Sequence, residues 1–495
     1  MSKISRDQLQ ELAERIQHLY LSDHIPWVLG YSGGKDSTAT LQLVWNAISN
    51  LPKDRQQHKQ IYVISTDTLV EQPIVAAWVK RSLRLMRQAS IEQKLPFHVE
   101  PLTPTIENSF WVNLIGRGYP APRAGFRWCT SRLKIDPSNR FITKLTKRYG
   151  ETILVLGTRK AESVSRAATM NYYEKSRIRE WLSPNGSLMN SWVFSPIEDW
   201  TSNDVWMYLM QVKNPWGLDN KELMTMYREA TNDNECPLVV DTTTPSCGNS
   251  RFGCWVCTLV SADKSMEAMI QNDEENIWMS PLLDFRNELG KLNERGRIDD
   301  HEHRDFRRMN GSIKMYQKLD KTIPGPYTKS YREYLLKRLL EVQVKVKELM
   351  PSTMAEFELI SIDELRLIRK IWVKDKLEFD DALPRIYEKT IYKPWVDSNR
   401  FTSFGEEEWN ILSEITGNNP IALDLHASLL MLEENHSILN GKRSIISEME
   451  SHIRRCFYEN ESDAFLFKKR QTELRGLSSD DLEDLLSDEI GIEEI

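Results

Sequence analysis

The sequence predicts an α/β fold with a mostly parallel sheet, then a cysteine-bearing segment, then a mainly helical C-terminal region. Three observations carry this. Through the first half, short apolar, β-prone runs alternate with stretches whose apolar residues recur at helical spacing, the pattern of a sheet wrapped by helices. Four of the six cysteines crowd into the 22 residues from Cys236 to Cys257. From about Ile277 onward the pattern becomes helical and strongly charged.

In chain order, Ser5 and Gln8 have the spacing of a capping box that opens an amphipathic helix through Leu9, Leu12, Ile16 and Leu19. The predicted strands are 27–31, 61–66, 97–102, 153–157 and 192–196, with helical patterns at 37–49, 74–89, 105–115 and 139–147 between them. In such a sheet, ligands bind at the carboxyl ends of the strands. The run 215–218, Pro-Trp-Gly-Leu, reads as an edge of this unit. Further on, 334–350 reads as a helix, and a late amphipathic helix carries Ile438, Ile445, Met449 and Ile453.

The composition, 40% hydrophobic and 28% charged over 495 residues, is that of a soluble protein with a substantial core. No window approaches 18 consecutive apolar residues, and the first residues lack the apolar core of a signal peptide. A cytoplasmic location is therefore expected, where the cysteines would not form structural disulfides. The net charge of −7 argues against a simple nucleic-acid binder, but charge is segregated. Residues 304–347 carry 12 Lys/Arg against 4 Asp/Glu, and residues 473–495 carry 9 acids against one arginine. A basic middle and an acidic tail suggest a polyanion surface and a separate interaction end.

The most informative stretch is 27–37, where an apolar run enters Ser32-Gly33-Gly34-Lys35-Asp36-Ser37 and then a helical pattern. A strand that turns through glycines into a helix N-terminus presents unpaired N–H groups and the positive dipole end to an anion. Gly33 and Gly34 let the backbone approach phosphate oxygens, Lys35 adds a cation, and Ser32 and Ser37 add hydroxyl donors. The spacing is not that of Walker A.

The cysteines Cys236, Cys247, Cys254 and Cys257 are separated by ten, six and two residues. Soft thiolates select zinc or an iron–sulfur cluster, and spacing alone leaves both open. The uneven spacing, with only one CxxC pair, leans toward [4Fe–4S]. Cys129 stands apart among Arg127, Arg132 and Lys134, cations that would favour the thiolate needed by a nucleophile or persulfide carrier. Cys456 has no such company and reads as structural.

The first ~260 residues resemble the phosphoadenylyl-sulfate-reductase-like branch of the pyrophosphate-loop ATPases in five segments taken in order. They are the loop 32–37, Ser65-Thr-Asp67-Thr68, Arg127-Trp-Cys-Thr with Leu133-Lys134, the run 156–166 containing Arg159 and Arg166, and the run 195–206. Within that branch the chain is similar to the DndC family of DNA phosphorothioation proteins. That likeness rests on Asp67-Thr-Leu-Val-Glu71, the isolated Cys129 and the four-cysteine spacing. No cysteine stands near the last residue, which speaks against a true reductase. The resemblance implies a pyrophosphate-loop domain binding adenine nucleotide over 1–230, an iron–sulfur segment over 231–285 and a charged helical region over 286–495 for DNA and partner contact. It implies ATP as substrate, adenosine near Asp67, and a [4Fe–4S] cluster on Cys236, Cys247, Cys254 and Cys257. A cysteine desulfurase and other proteins of the phosphorothioation system are the implied partners.

The expected chemistry follows. A DNA phosphate oxygen attacks the α-phosphate of ATP, pyrophosphate leaves, and sulfur then displaces AMP. The loop would stabilise the departing phosphates, Asp36 would hold Mg²⁺ or orient the loop, and Arg159 and Arg166 would clamp phosphate oxygens. Sulfur would come from a persulfide on Cys129 or bound at the cluster. The basic segment, with Tyr316, Tyr327, Tyr331 and Tyr334 interleaved, is the expected DNA contact. Competing readings are a tRNA thiolation enzyme, a sulfate-activating adenylyltransferase and a nucleotide-gated, cluster-bearing DNA scaffold.

Overall fold

The computed structural model describes residues 5–475 except 178, 231–251, 310, 316–321, 398–400, 402, 440–444 and 459. The chain divides into two compact units. Unit 1 comprises residues 1–110, 121–298 and 342–360, and unit 2 comprises 111–120, 299–341 and 361–495.

Unit 1 opens with α1 (Arg6–Leu21), where the capping box on Ser5 and Gln8 forms and Leu12, Ile16 and Leu19 are buried. Then come β1 (Trp27–Gly30), α2 (Lys35–Ser49), β2 (Ile61–Thr66), α3 (Pro73–Gln93) and β3 (Phe97–Leu102). After these follow α4 (Asp136–Tyr149), β4 (Thr152–Val155), α5 (Val164–Glu174), β5 (Ser183–Pro184) and β6 (Ser191–Phe194). The unit continues through α6 (Ser202–Gln211), α7 (Asn220–Glu229), α8 (Lys264–Asn272) and α9 (Ser280–Leu289).

The sheet order is β3-β2-β1-β4-β6-β5. All pairs are parallel except β5 with β6. β1 is buried along Trp27–Leu29, as expected of a strand covered by helices on both faces. On one face Val28, Ile64 and Leu154 pack against Ile142 and Leu145 of α4. Chain order reverses between β1 and β4, so their carboxyl ends form the switch-point crevice where α/β sheets bind ligands.

Three expectations from the sequence are corrected. The run 105–115 is not one helix: a short turn at Ile106–Asn108 precedes a wide turn at Val112–Gly116, where the Arg117 N–H donates to the Val112 carbonyl at 2.9 Å. All five residues of that wide turn are buried, so packing on every side, rather than one amphipathic face, sets its geometry. The run 215–218 is not an edge: Trp216 is buried against Trp45 of α2, and α7 continues the unit. The late amphipathic helix is two helices, with Ile438 on one and Ile445, Met449 and Ile453 on the next. Asn440-Gly441, a helix-stop pair, lies between them in the sequence.

Unit 2 is helical. α10 (Lys329–Leu349) contributes residues to both units, followed by α11 (Ile362–Lys370), α12 (Ala382–Ile391), α13 (Glu406–Ile415), α14 (Pro420–Leu439), α15 (Ile445–Arg455) and α16 (Glu461–Arg475). Its core joins Val373, Leu377 and Phe379 to Ala427 and Met431 of α14. The acidic tail beyond Arg475 lies outside the described residues. Among the described residues no helix is long and apolar enough to cross a membrane.

A charge cluster in unit 2 gives a pH prediction. Lys329 pairs with Asp380 at 2.7 Å, and Arg332, which is buried, pairs with Glu378. Beside them, burial pushes the Glu333 carboxyl up to about 7; Lys329 and Arg332 oppose this, and Asp380 and Glu378 add to it. The folded chain therefore holds a proton that the unfolded chain releases at the ordinary carboxyl pKa. Stability from this site should be full below about pH 4.5 and lost as pH rises toward about 7. Thermal unfolding between pH 5 and 8 should show that fall in the wild type, superposed on other titrations, and a smaller one in Glu333→Gln.

Candidate active site

The loop between β1 and α2 is built to leave donors exposed. Gly34 caps α2 with no side-chain hydrogen bond, so first-turn N–H groups of the helix point outward. Gly33 has a φ of +77°, in the left-handed region, and a Cβ there would stand 2.4 Å from Val79 Cγ2. The buried Trp78 indole of α3 donates to the Gly33 carbonyl at 3.1 Å and fixes the turn. Ser37 closes the neck: its hydroxyl receives the Ser32 N–H at 3.2 Å and donates to the Gly34 carbonyl at 3.0 Å.

Asp36 is the hub. Lys35 Nζ donates to Oδ2 at 3.0 Å, and Arg159 Nε donates to Oδ1 at 2.7 Å. Arg159 is 4% exposed and also donates to the Trp200 carbonyl at 3.2 Å. It reaches Asp36 because Gly157, just past β4, lies against the start of α2: a Cβ at 157 would stand 2.7 Å from the Asp36 carbonyl oxygen. The Asp36 carboxylate thus carries one cation on each oxygen. Tyr227 of α7 completes the rim, its hydroxyl accepting the Lys35 N–H at 3.3 Å.

The other predicted residues fall in different places. Arg166 sits in the first turn of α5, half exposed, with its guanidinium 3.3 Å from Glu162. Asp67 shapes the loop after β2: its Oδ1 accepts the Leu69 N–H at 2.8 Å, where Leu69 has a φ of +64°. Cys129 is half-buried at the start of a wide turn, Thr130–Ile135. The expectation of a cation-stabilised thiolate there is corrected: burial pushes the Cys129 thiol up, and the neighbouring Cys257 adds to it. Lys134 is directed to Glu71 instead, at 3.4 Å, and Arg132 to the Asn108 side chain at 2.6 Å.

Cys236 and Cys247 lie outside the described residues. Cys254 and Cys257 are free thiols on a tight turn in which the Cys257 N–H donates to the Cys254 carbonyl at 3.0 Å. Backbone bonds fasten that turn to the loop after β2, from Gln72 N to Gly253 O at 3.1 Å and from Trp255 N to Val70 O at 3.0 Å. Cys254 thus sits 3.3 Å from the Thr68 hydroxyl and beside Glu71, and burial, reinforced by Glu71, pushes its thiol up to about 12. Among the described residues no three His, Cys, Asp or Glu side chains are arranged to hold a metal ion.

Sequence reasoning named Gly157 only within the run 156–166 and missed two contributors. Tyr227 lies 192 residues from its partner and carried no local signal. Arg286 of α9 is the second. It is buried, and its guanidinium donates to the carbonyls of Cys257 at 2.9 Å and Ser261 at 2.9 Å and also to that of Val260. Arg286→Met should cost about 3 kcal/mol or more by orphaning these carbonyls. Thermal unfolding should show the loss, and Cys257 should alkylate faster than in the wild type.

Eight of the ten described cations of the basic segment are engaged internally. Arg304 donates to the Gly325 carbonyl at 2.9 Å, Arg307 to Asp305 at 3.0 Å and Arg308 to the Pro324 carbonyl at 3.2 Å. Lys329 and Arg332 are paired as above, Arg338 lies 2.6 Å and Lys337 3.8 Å from Glu341, and Lys347 lies 3.7 Å from Glu358. Tyr327 is buried with its hydroxyl on Asp300, Tyr331 stacks on His303, and Tyr316 is outside the described residues.

Residues 26–259 match the model of the phosphoadenosine phosphosulfate reductase domain. Over that stretch, a little under half of its length, the chain is similar to this domain. An uncharacterized protein of Methanocaldococcus jannaschii is 26% identical over 202 residues, 41% of this chain and 35% of that protein. The chain spans about a third of the length of the curated relatives it matches. Among solved structures, phosphoadenylyl-sulfate reductase from Candida auris aligns at 13% identity over 45% of this chain and 92% of that one, with a TM-score of 0.28. The U34-tRNA thiolase NcsA from Methanococcus maripaludis, solved with its [4Fe-4S] cluster, aligns at 12% identity over 58% and 82%, with a TM-score of 0.27.

Proposed function

We propose that this chain is a DNA phosphorothioation protein of the DndC type, which uses ATP to make a DNA phosphate oxygen replaceable by sulfur. The observation that supports the reading is the stitching of the Cys254 turn onto the loop after β2, which sets two thiols near the carboxyl ends of the strands. A phosphodiester oxygen is a poor leaving group; adenylation converts it to one. The DNA oxygen attacks the α-phosphorus of ATP, the bond to the β-phosphate breaks, and pyrophosphate departs. The loop N–H groups and Lys35 stabilise the charge that develops on it. Mg²⁺ enters on the nucleotide phosphates. Arg159 braces Asp36, and Arg166, half exposed on the first turn of α5, clamps an incoming phosphate.

The outer sulfur of a Cys129 persulfide then attacks the DNA phosphorus, and AMP leaves. A second thiol cleaves the remaining S–S bond, releasing the phosphorothioate and leaving a disulfide for a thiol reductant to open. The persulfide comes from a cysteine desulfurase, and the other proteins of the modification system are the expected partners. Cys254 and Cys257 fit two ligands of a [4Fe–4S] group: two half-buried thiols on a CxxC turn, neither in a disulfide. Cys236 and Cys247 would supply the rest, and bound there the group would serve sulfur or electron transfer. An iron and sulfide assay on anaerobically purified chain tests this directly.

DNA affinity should fall with salt at a log–log slope of roughly −0.9 per phosphate neutralised. Because eight of the segment's twelve cations already have partners, a slope steeper than about −4 would require release of those pairs or cations from outside this segment. The deciding test is mass spectrometry of nucleic acid from cells with and without the chain. Phosphorothioate dinucleotides that depend on Lys35 support the proposal, whereas thiolated tRNA nucleosides with unmodified DNA would overturn it.

A further inference from the structure

We propose that Tyr227 is a direct ligand of the nucleotide phosphates, its hydroxyl completing the anion cradle at the N-terminus of α2. The inference rests on the reading of that loop as an ATP site and adds a residue that no motif marks. Tyr227 is 8% exposed, and its oxygen lies 3.1 Å from where a Cβ on Gly34 would stand. It accepts the Lys35 N–H at 3.3 Å, a first-turn donor with no carbonyl partner inside its own helix. The Lys35 ammonium also lies 5.6 Å from the centre of the ring.

Tyr227 therefore stands where an anion's oxygen would bond. A phenol that accepts one hydrogen bond keeps its proton for donation, and among the described residues that proton meets no acceptor. Burial pushes Tyr227 well above the usual tyrosine range, so it stays an O–H at any working pH. With the cradle empty the oxygen caps Lys35 N–H; with phosphate present the O–H turns to an equatorial oxygen of the anion. The ring is held for this role edge-on between Trp206, at 5.1 Å, and Phe252, at 4.7 Å. Phe252 is two residues before Cys254, so the side chain that meets the phosphates also packs against the cysteine turn.

The test is calorimetric titration of the full chain, purified anaerobically, with inorganic pyrophosphate and separately with adenosine. Tyr227→Phe keeps the ring and removes only the hydroxyl. Pyrophosphate affinity should fall by roughly tenfold or more, the effect of losing a hydrogen bond to a charged group, while adenosine affinity stays at the wild-type value. Equal pyrophosphate affinity in the two proteins would overturn the inference while leaving the ATP reading intact. A wild-type chain that binds neither ligand would overturn the ATP reading and this inference with it. If Tyr227→Phe folds poorly, 3-fluorotyrosine placed at position 227 alone decides the matter: its fluorine resonance should move on adding pyrophosphate, and an unmoved resonance at saturation would contradict the assignment.

Discussion

Asp36→Ala is expected to cut pyrophosphate release roughly 10²- to 10³-fold and to lower stability by about 3 kcal/mol. Both effects come from one contact. The Arg159 guanidinium is almost completely buried and has Asp36 as its carboxylate partner at 2.7 Å. Removing one side of a buried pair leaves an uncompensated charge, which is far more costly than removing both. The same truncation frees Lys35, whose ammonium is held at 3.0 Å by the other carboxylate oxygen. With the two cations unanchored, the donors around the departing phosphates lose the fixed geometry on which electrostatic stabilisation depends. Asp36→Asn, which keeps the shape and an acceptor oxygen, should recover part of the stability but little of the rate. Thermal unfolding and a pyrophosphate-release assay on the three proteins separate these effects.

Gly157→Ala should be the second most damaging change, although it adds a single methyl group. The new Cβ would stand 2.7 Å from the Asp36 carbonyl oxygen and 2.8 Å from its carbon, both backbone atoms. Backbone cannot rotate aside as a side chain does, so the end of β4 and the start of α2 must part. Overpacking of this kind costs typically about 1–3 kcal/mol, and here the displacement falls on the anion loop itself. Nucleotide affinity should therefore drop by roughly tenfold or more, out of proportion to the change in melting temperature. Gly33→Ala should act at the same loop by another route, through its φ of +77° and the close Val79 methyl. Because that neighbour is a side chain able to shift, its steric penalty should be the smaller of the two.

These residues also show how much was legible beforehand. The five long strands are written in apolar runs bounded by polar and glycine residues, and each forms within three residues of its expected bounds. β5 is a Ser-Pro pair that exists only because β6 offers it an antiparallel edge, so no local pattern could announce it. The glycine loop was legible because its residues are contiguous, from Ser32 to Ser37. Its supports were not: Arg159 and Tyr227 reach it from 123 and 192 residues away, through the sheet order and the packing of α7. Cys129 shows the opposite failure. Two of its three cationic neighbours, Lys134 and Arg132, are directed to Glu71 and Asn108, and burial pushes the thiol up.

The central claim is that the glycine loop directs cleavage of ATP between its α- and β-phosphates next to the cysteine turn. It is tested most directly by incubating the anaerobically purified chain with α-labelled ATP, DNA, a cysteine desulfurase with cysteine, and its partner proteins, then separating the labelled products. The account predicts labelled AMP, with pyrophosphate in equal amount, and none from Lys35→Ala. Labelled ADP, or AMP formed equally well by Lys35→Ala, would contradict it.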